Sequence, residues 1–220
     1  MVKERPILFS GGMVRAILDS RKTQTRRIWK MPRGLDWYVS GPMRGEETGD
    51  ICDPASNWWG HVEEMHCPYG MPGDRLWVRE TWQHSNHPFG PYEPDCDVFY
   101  RADYLDDPLG PDLERSADGI RRQWRPSIHM PRAACRLQLE ITGVRVERLQ
   151  DISDVDALAE GVEPVSVSPG TQASFWKAAP DTFEARETAR GAFWDLWESI
   201  NGNGAWETNP FVWVIDFQRL

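Results

Sequence analysis

Apolar positions recur at every second residue from Arg136 to Arg148, where Leu137, Leu139, Ile141, Val144 and Val146 alternate with polar neighbours. That period lines one face of a strand, and the phase slip at Gly143 predicts a bulge. Arg75 to Trp82 alternates in the same way, Arg5-Pro6-Ile7-Leu8-Phe9 predicts a first strand, and Asp97 to Arg101 a further short one. Phe211 to Phe217 is apolar almost throughout, which predicts a central strand buried on both faces. Helical spacing appears three times. Val14, Ile17 and Leu18 follow a capping Ser10, predicting a helix over Gly11 to Asp19. Ser153, with Asp156 three residues on, opens a short helix that ends at Gly161. Phe193, Leu196, Trp197 and Ile200 form one stripe on a helix over Asp181 to Ile200, stopped by Asn201-Gly202-Asn203-Gly204. Several strands with a few helices predict an α+β molecule, a small β-barrel with flanking helices.

Three stretches lack a sustained period. Gly34 to Pro72 is rich in Gly, Pro, Asp and Trp; Leu105 to Arg125 is acidic and broken by Pro and Gly; Val165 to Pro180 is polar. They read as long loop insertions on a single domain spanning residues 1–220. The net charge of -9 argues against a broad footprint on long nucleic acid but leaves room for a local basic pocket. The four cysteines are scattered and predict reduced thiols. No apolar run reaches membrane-spanning length and the first residues lack a signal-peptide core, so the cytoplasm is the expected location, that of the host if the chain is phage-encoded. His61, His66 and Cys67, with Cys52 upstream, fit no structural zinc template, so no metal or other cofactor is expected. His84, His87 and His129 are expected on the surface or in loops. Of the twelve tryptophans, Trp197 is expected in the core, and Trp77 and Trp82 at core and rim of one strand.

The densest chemistry lies in Ser20-Arg21-Lys22-Thr23-Gln24-Thr25-Arg26-Arg27, which puts a lysine, a hydroxyl and paired arginines into one turn. Lys22 is expected to end the first helix and Thr25 to enter a strand, so the two converge only if the lysine stem folds back. Such a site suits nucleotide binding or attack on a carbonyl. A lysine becomes a base only if burial or a neighbouring cation lowers its pKa, and Arg26 and Arg27 supply such charge.

These residues resemble the ASCH family, of PUA-like fold, and its longer phage-type members. The family signature Gly-x-Lys-x-x-Glu-x-Arg is met here at Lys22 and Arg27, with Ser20 for the glycine and Thr25 for the acid. Threonine at that place is similar to the small bacterial N4-acetylcytidine amidohydrolases. The stretch Leu149 to Gly161, the turn Gly73-Asp74-Arg75-Leu76 and the strand Phe211 to Phe217 match in order. The resemblance implies a PUA-like (ASCH) small β-barrel with insertions at about 34–72, 105–131 and 165–180. It implies Lys22 as proton acceptor, Thr25 as nucleophile and Glu160 as proton donor, with Arg26 and Arg27 binding substrate. The implied activity is hydrolysis of N4-acylated cytosine nucleosides or a related modified nucleobase. The alternatives are a non-catalytic reader of RNA or a modified nucleotide, and an ASCH-type ribonuclease. Expected partners are a modified nucleoside or nucleotide and RNA, with no membrane.

Overall fold

The computed structural model describes residues 2–30, 38–40, 50–53, 58–61, 67–86, 90–104, 124–165, 175–178 and 185–220, with backbone alone at 38–40, 50–53 and 58–61. The described elements, in chain order, begin with β1 (Glu4–Leu8), α1 (Gly11–Leu18) and β2 (Gln24–Ile28). Three short strands follow, β3 (Tyr38–Ser40), β4 (Asp50–Asp53) and β5 (Trp58–His61), then β6 (Arg75–Arg79), β7 (Trp82–His84) and β8 (Val98–Tyr100). The rest are β9 (Gln138–Arg148), α2 (Asp154–Ala159), β10 (Glu163–Val165), β11 (Phe175–Lys177), α3 (Ala189–Asn201) and β12 (Phe211–Arg219). The molecule is α+β.

Its main sheet has five strands in the order β1-β6-β9-β12-β2, open among the described residues. Only the β1–β6 pair is parallel; β6–β9, β9–β12 and β12–β2 run antiparallel. β12 is therefore an interior strand, between β9 and edge strand β2, and its near-continuous apolar run follows from burial on both faces. Phe211, Trp213, Ile215 and Phe217 pack with Ile7, Phe9, Val14 and Ile17 from β1 and α1. Val212 and Val214 face the other way, toward Phe193, Leu196 and Trp197 of α3 and Ala157 of α2. Each such large side chain taken fully out of water contributes on the order of 1.5–3 kcal/mol. Opposite β12 the register shifts, with Asp216 facing Gly143 and Phe217 facing Ile141, which leaves Thr142 as the extra residue of a bulge. A Cβ at Gly143 would lie 2.9 Å from Asp216 Oδ2, so a larger residue there would have to turn the Asp216 carboxylate away from its bonds to Gln24 and Arg145.

Several expectations hold. Ser10 and Ser153 cap their helices, accepting from the N–H groups of Met13 and Asp156. Others need correction. The last helix starts at Ala189, not near Asp181, because Thr188 takes the capping position and accepts from Gly191 N–H; residues 179–184 lie outside the described residues. Trp77 and Trp82 sit on two strands, since the chain leaves the main sheet after β6 and pairs β7 with β8. His84 is fully buried rather than on the surface, packed between Trp82 and Tyr92 with its Nε2 2.7 Å from Arg125. Within Gly34 to Pro72 the described backbone forms an antiparallel sheet, β3-β4-β5. Leu105 to Arg125 falls outside the described residues except at Trp124 and Arg125, and within 165–180 β11 pairs with β10. No helix among the described residues is long and apolar enough to cross a membrane.

Candidate functional site

α1 stops at Leu18, short of Lys22, and the chain turns through Ser20 at φ 61°. This left-handed conformation strains any residue but glycine. The N–H groups of Arg21 and Lys22 then both donate to Ala16 O, at 2.8 and 3.0 Å, which closes the turn against α1. Beyond it, Thr23 N–H donates to Ala159 O at 2.8 Å and ties the end of α2 to the start of β2. The turn, β2 and α2 thus meet at one point.

Glu160 occupies the C-terminal cap of α2, and Gly161 follows at φ +95°. A Cβ on Gly161 would stand 3.0 Å from Ala16 Cβ and 3.1 Å from Lys22 Cβ. The glycine therefore serves twice, for its backbone angle and for letting the lysine stem pass. Lys22 folds back across the turn, and its Nζ donates to Gln24 O at 2.8 Å, Glu160 O at 2.8 Å and Glu160 Oε2 at 2.7 Å. An ammonium has three protons, and each has an acceptor. Burial pulls the Lys22 pKa below its ordinary value; the Glu160 carboxylate opposes that, while Arg27 and Arg26 push the same way as burial.

Thr25 lies on β2 opposite Ile215 of β12, 1% exposed, and its hydroxyl is buried with no hydrogen-bond partner. It lines a small cleft with Arg26, Arg27 and Glu160 on one side and Phe193, Leu196, Trp197 and Ile200 of α3 on the other; counted out to open solvent the cleft is about 380 Å³. The apolar stripe of α3 is therefore core at Phe193 and Trp197 and cleft wall toward the exposed Ile200.

The paired arginines diverge because neighbours on a strand face opposite ways. Arg26 points to the α3 side, where its guanidinium lies 5.8 Å from the Phe193 ring and donates to Glu147, Glu160 and Gln24. Arg27, half-buried, lies over the Phe9 ring at 5.2 Å and donates from Nη2 to Leu8 O at 2.8 Å. Burial lowers the Arg27 pKa from its ordinary value.

Of the five residues singled out in the sequence, Lys22 and Arg26 both contact Glu160, and Thr25, Arg26, Arg27 and Glu160 line the cleft, which Lys22 does not. What sequence reading missed is the polar network behind them. Gln24 donates to Asp216 at 2.6 Å and to Asp156 at 3.2 Å, and Arg145 bridges Asp216, Asp156 and Glu147. Asp216 was the available signal, a carboxylate interrupting an otherwise apolar strand. Among the described residues no group of three metal-ligating side chains is found; the side chains of Cys52 and His61, and all of His66, lie outside them, and Cys67 is a buried free thiol. No protein-family model, curated protein or solved structure matches this chain.

Proposed function

We propose that this chain is an amidohydrolase of N4-acylated cytosine nucleosides, or of a related modified nucleobase, built on an ASCH-type PUA-like barrel. The observation that carries the reading is the buried contact of Lys22, from the turn, with Glu160, from the helix end, beside a cleft that Glu160 lines together with Thr25 of β2. The fold assignment draws support from Arg27, which spans from edge strand β2 to Leu8 of edge strand β1, so that the open sheet curls toward closure.

In this reading the proton of Thr25 Oγ1 passes to a neutral Lys22 Nζ while Oγ1 bonds to the acyl carbon. The carbon–nitrogen bond then breaks, and Glu160 delivers a proton to the departing exocyclic nitrogen. Lys22 and Glu160 exchange that proton across their 2.7 Å contact, so the balance closes within the pair. Water, deprotonated by the same pair, cleaves the threonine ester and restores the hydroxyl. The unpartnered Thr25 hydroxyl suits a nucleophile, whose oxygen must be free to bond elsewhere. Two rearrangements are required: the buried Thr25 hydroxyl must be uncovered to the acyl carbon, and Lys22 must turn a lone pair to Thr25, which means releasing one of its three acceptors, the Glu160 side chain being the one able to move.

A second reading, a non-catalytic binder of a modified nucleotide, is favoured by that same observation, because an ammonium with three acceptors is a stable fixture. Single-turnover hydrolysis of N4-acetylcytidine, with binding measured in parallel, separates the two. The hydrolase reading expects turnover in the parent, at least ~100-fold loss in Thr25→Ala and in Lys22→Arg, and retained binding in Thr25→Ala. A parent that binds the nucleoside and leaves it intact from pH 5 to 10 overturns the hydrolase and leaves the binder.

A further inference from the structure

Arg26 looks in the sequence like a substrate clamp, but its surroundings assign it other work. Its side chain has no solvent exposure. Nε donates to Glu147 Oε1 at 3.1 Å and Nη2 contacts the same oxygen, with Asp156 Oδ2 3.6 Å away. Nη1 donates to Gln24 Oε1 and, at 3.3 Å, to Glu160 Oε1. The planar, rigid guanidinium is therefore fixed on one side by Glu147 and holds Glu160 on the other. Glu160 uses its two oxygens separately, Oε1 for Arg26 and Oε2 for Lys22.

We infer that Arg26, anchored by Glu147, is a positioning residue that holds the Glu160 carboxylate in place beside Lys22. When Oε2 releases Lys22, as proton transfer requires, Arg26 keeps Oε1 where it was and the carboxylate pivots rather than swings away. Glu147, on β9, and Arg26, on β2, are held in reach of each other by their common neighbour β12, so the anchor belongs to the sheet rather than to the cleft. The kinetic consequence rests on the hydrolase reading; the geometric one does not.

The test uses Arg26→Gln, Glu147→Gln and the double variant, which removes both charges together so that neither is left buried alone. With N4-acetylcytidine, positioning predicts that kcat falls about 10- to 100-fold in Arg26→Gln while KM stays within about two-fold. Glu147→Gln should lower kcat by less, and the double variant should be no slower than Arg26→Gln, because the two act as one unit. A substrate clamp predicts a raised KM with kcat kept, and that outcome overturns the inference. A second readout needs no activity: the 15N resonance of Lys22 Nζ in specifically labelled protein. Positioning predicts a shifted or broadened Nζ signal in Arg26→Gln, with the parent signal largely restored in Arg26→Lys. An unchanged signal in Arg26→Gln overturns the inference whatever the parent's turnover, whereas a shifted signal in an inactive parent sustains it and removes only the hydrolase.

Discussion

In the proposed hydrolase, Thr25 puts stability and activity in conflict within one side chain. A hydroxyl sealed away from water without a partner costs roughly 1–3 kcal/mol, and Thr25 Oγ1 is in that position. Thr25→Val exchanges the hydroxyl for a methyl of similar shape and keeps the β-branch that a strand favours. The expected outcome is a thermal midpoint equal to or above the parent's, together with complete loss of N4-acetylcytidine turnover. A drop in stability of more than about 1 kcal/mol would show that the hydroxyl has a partner in the folded protein. Lys22 is the opposite case. Its ammonium is fully enclosed with Glu160, and removing one member of such a pair leaves a lone buried charge, a loss of about 3–5 kcal/mol. Thr25 is thus replaceable for folding and Lys22 is not.

At the level of elements, strand positions were legible because period-two patterns survive in any context, and β1, β6, β9 and β12 fall where alternation or apolar runs put them. Features set by distant partners were not. Trp77 and Trp82 read as one strand until Glu80, held by both oxygens to Arg136 at 2.9 Å, marks the place where the chain changes sheets. The turn ahead of β6 carries a pH-dependent tie of the same long-range kind. Asp74 Oδ1 accepts from Lys3 N–H at 2.9 Å, and Oδ2 accepts from Met71 N–H at 3.2 Å and from Arg5 at 3.3 Å. The Lys3 hydrogen bond, foremost, holds the Asp74 carboxyl below its usual pKa of 3.8. A depressed folded pKa contributes stability that is fully present above the unfolded value and is lost as pH falls through the folded one. Asp74→Asn should therefore be less stable than the parent by about 1 kcal/mol at pH 7. The gap should narrow as pH falls below 3.8, and it should close only below the lower pKa of the folded state, where the parent carboxyl is protonated in both states. Urea unfolding at pH 7, 4 and 2.5 measures it, and a gap that stays constant across the series would count against the carboxylate's role.

For the molecule as a whole, the site was legible where it is local and hidden where it is topological. Lys22 and Thr25 sit in one short segment, and Glu160 stands beside a glycine at a helix end; these are sequence-level features. The placement of Gln24, Glu147 and Asp216 around them needs the β9-β12-β2 order, which no local pattern states. The two arginines show the difference, since alternation alone sends them to opposite faces, yet what each meets there depends on the curvature of the sheet. Arg27 meets Leu8 O and the Phe9 ring at the far edge, and so acts as a bridge between strands that share no ladder. Arg27→Met keeps the length of the stem and removes both the charge and the donor. If the bridge holds the sheet curled, a lost charge-assisted hydrogen bond should lower stability by about 1.5–3 kcal/mol. It should also speed amide exchange at Glu4–Leu8 and Gln24–Ile28 together, because either edge opens only when the other is released. A pure substrate clamp predicts neither change and only weaker binding of N4-acetylcytidine. Hydrogen exchange read by mass spectrometry on both edge strands, without ligand, decides between them: faster exchange confined to one edge, or to neither, rules out the bridge.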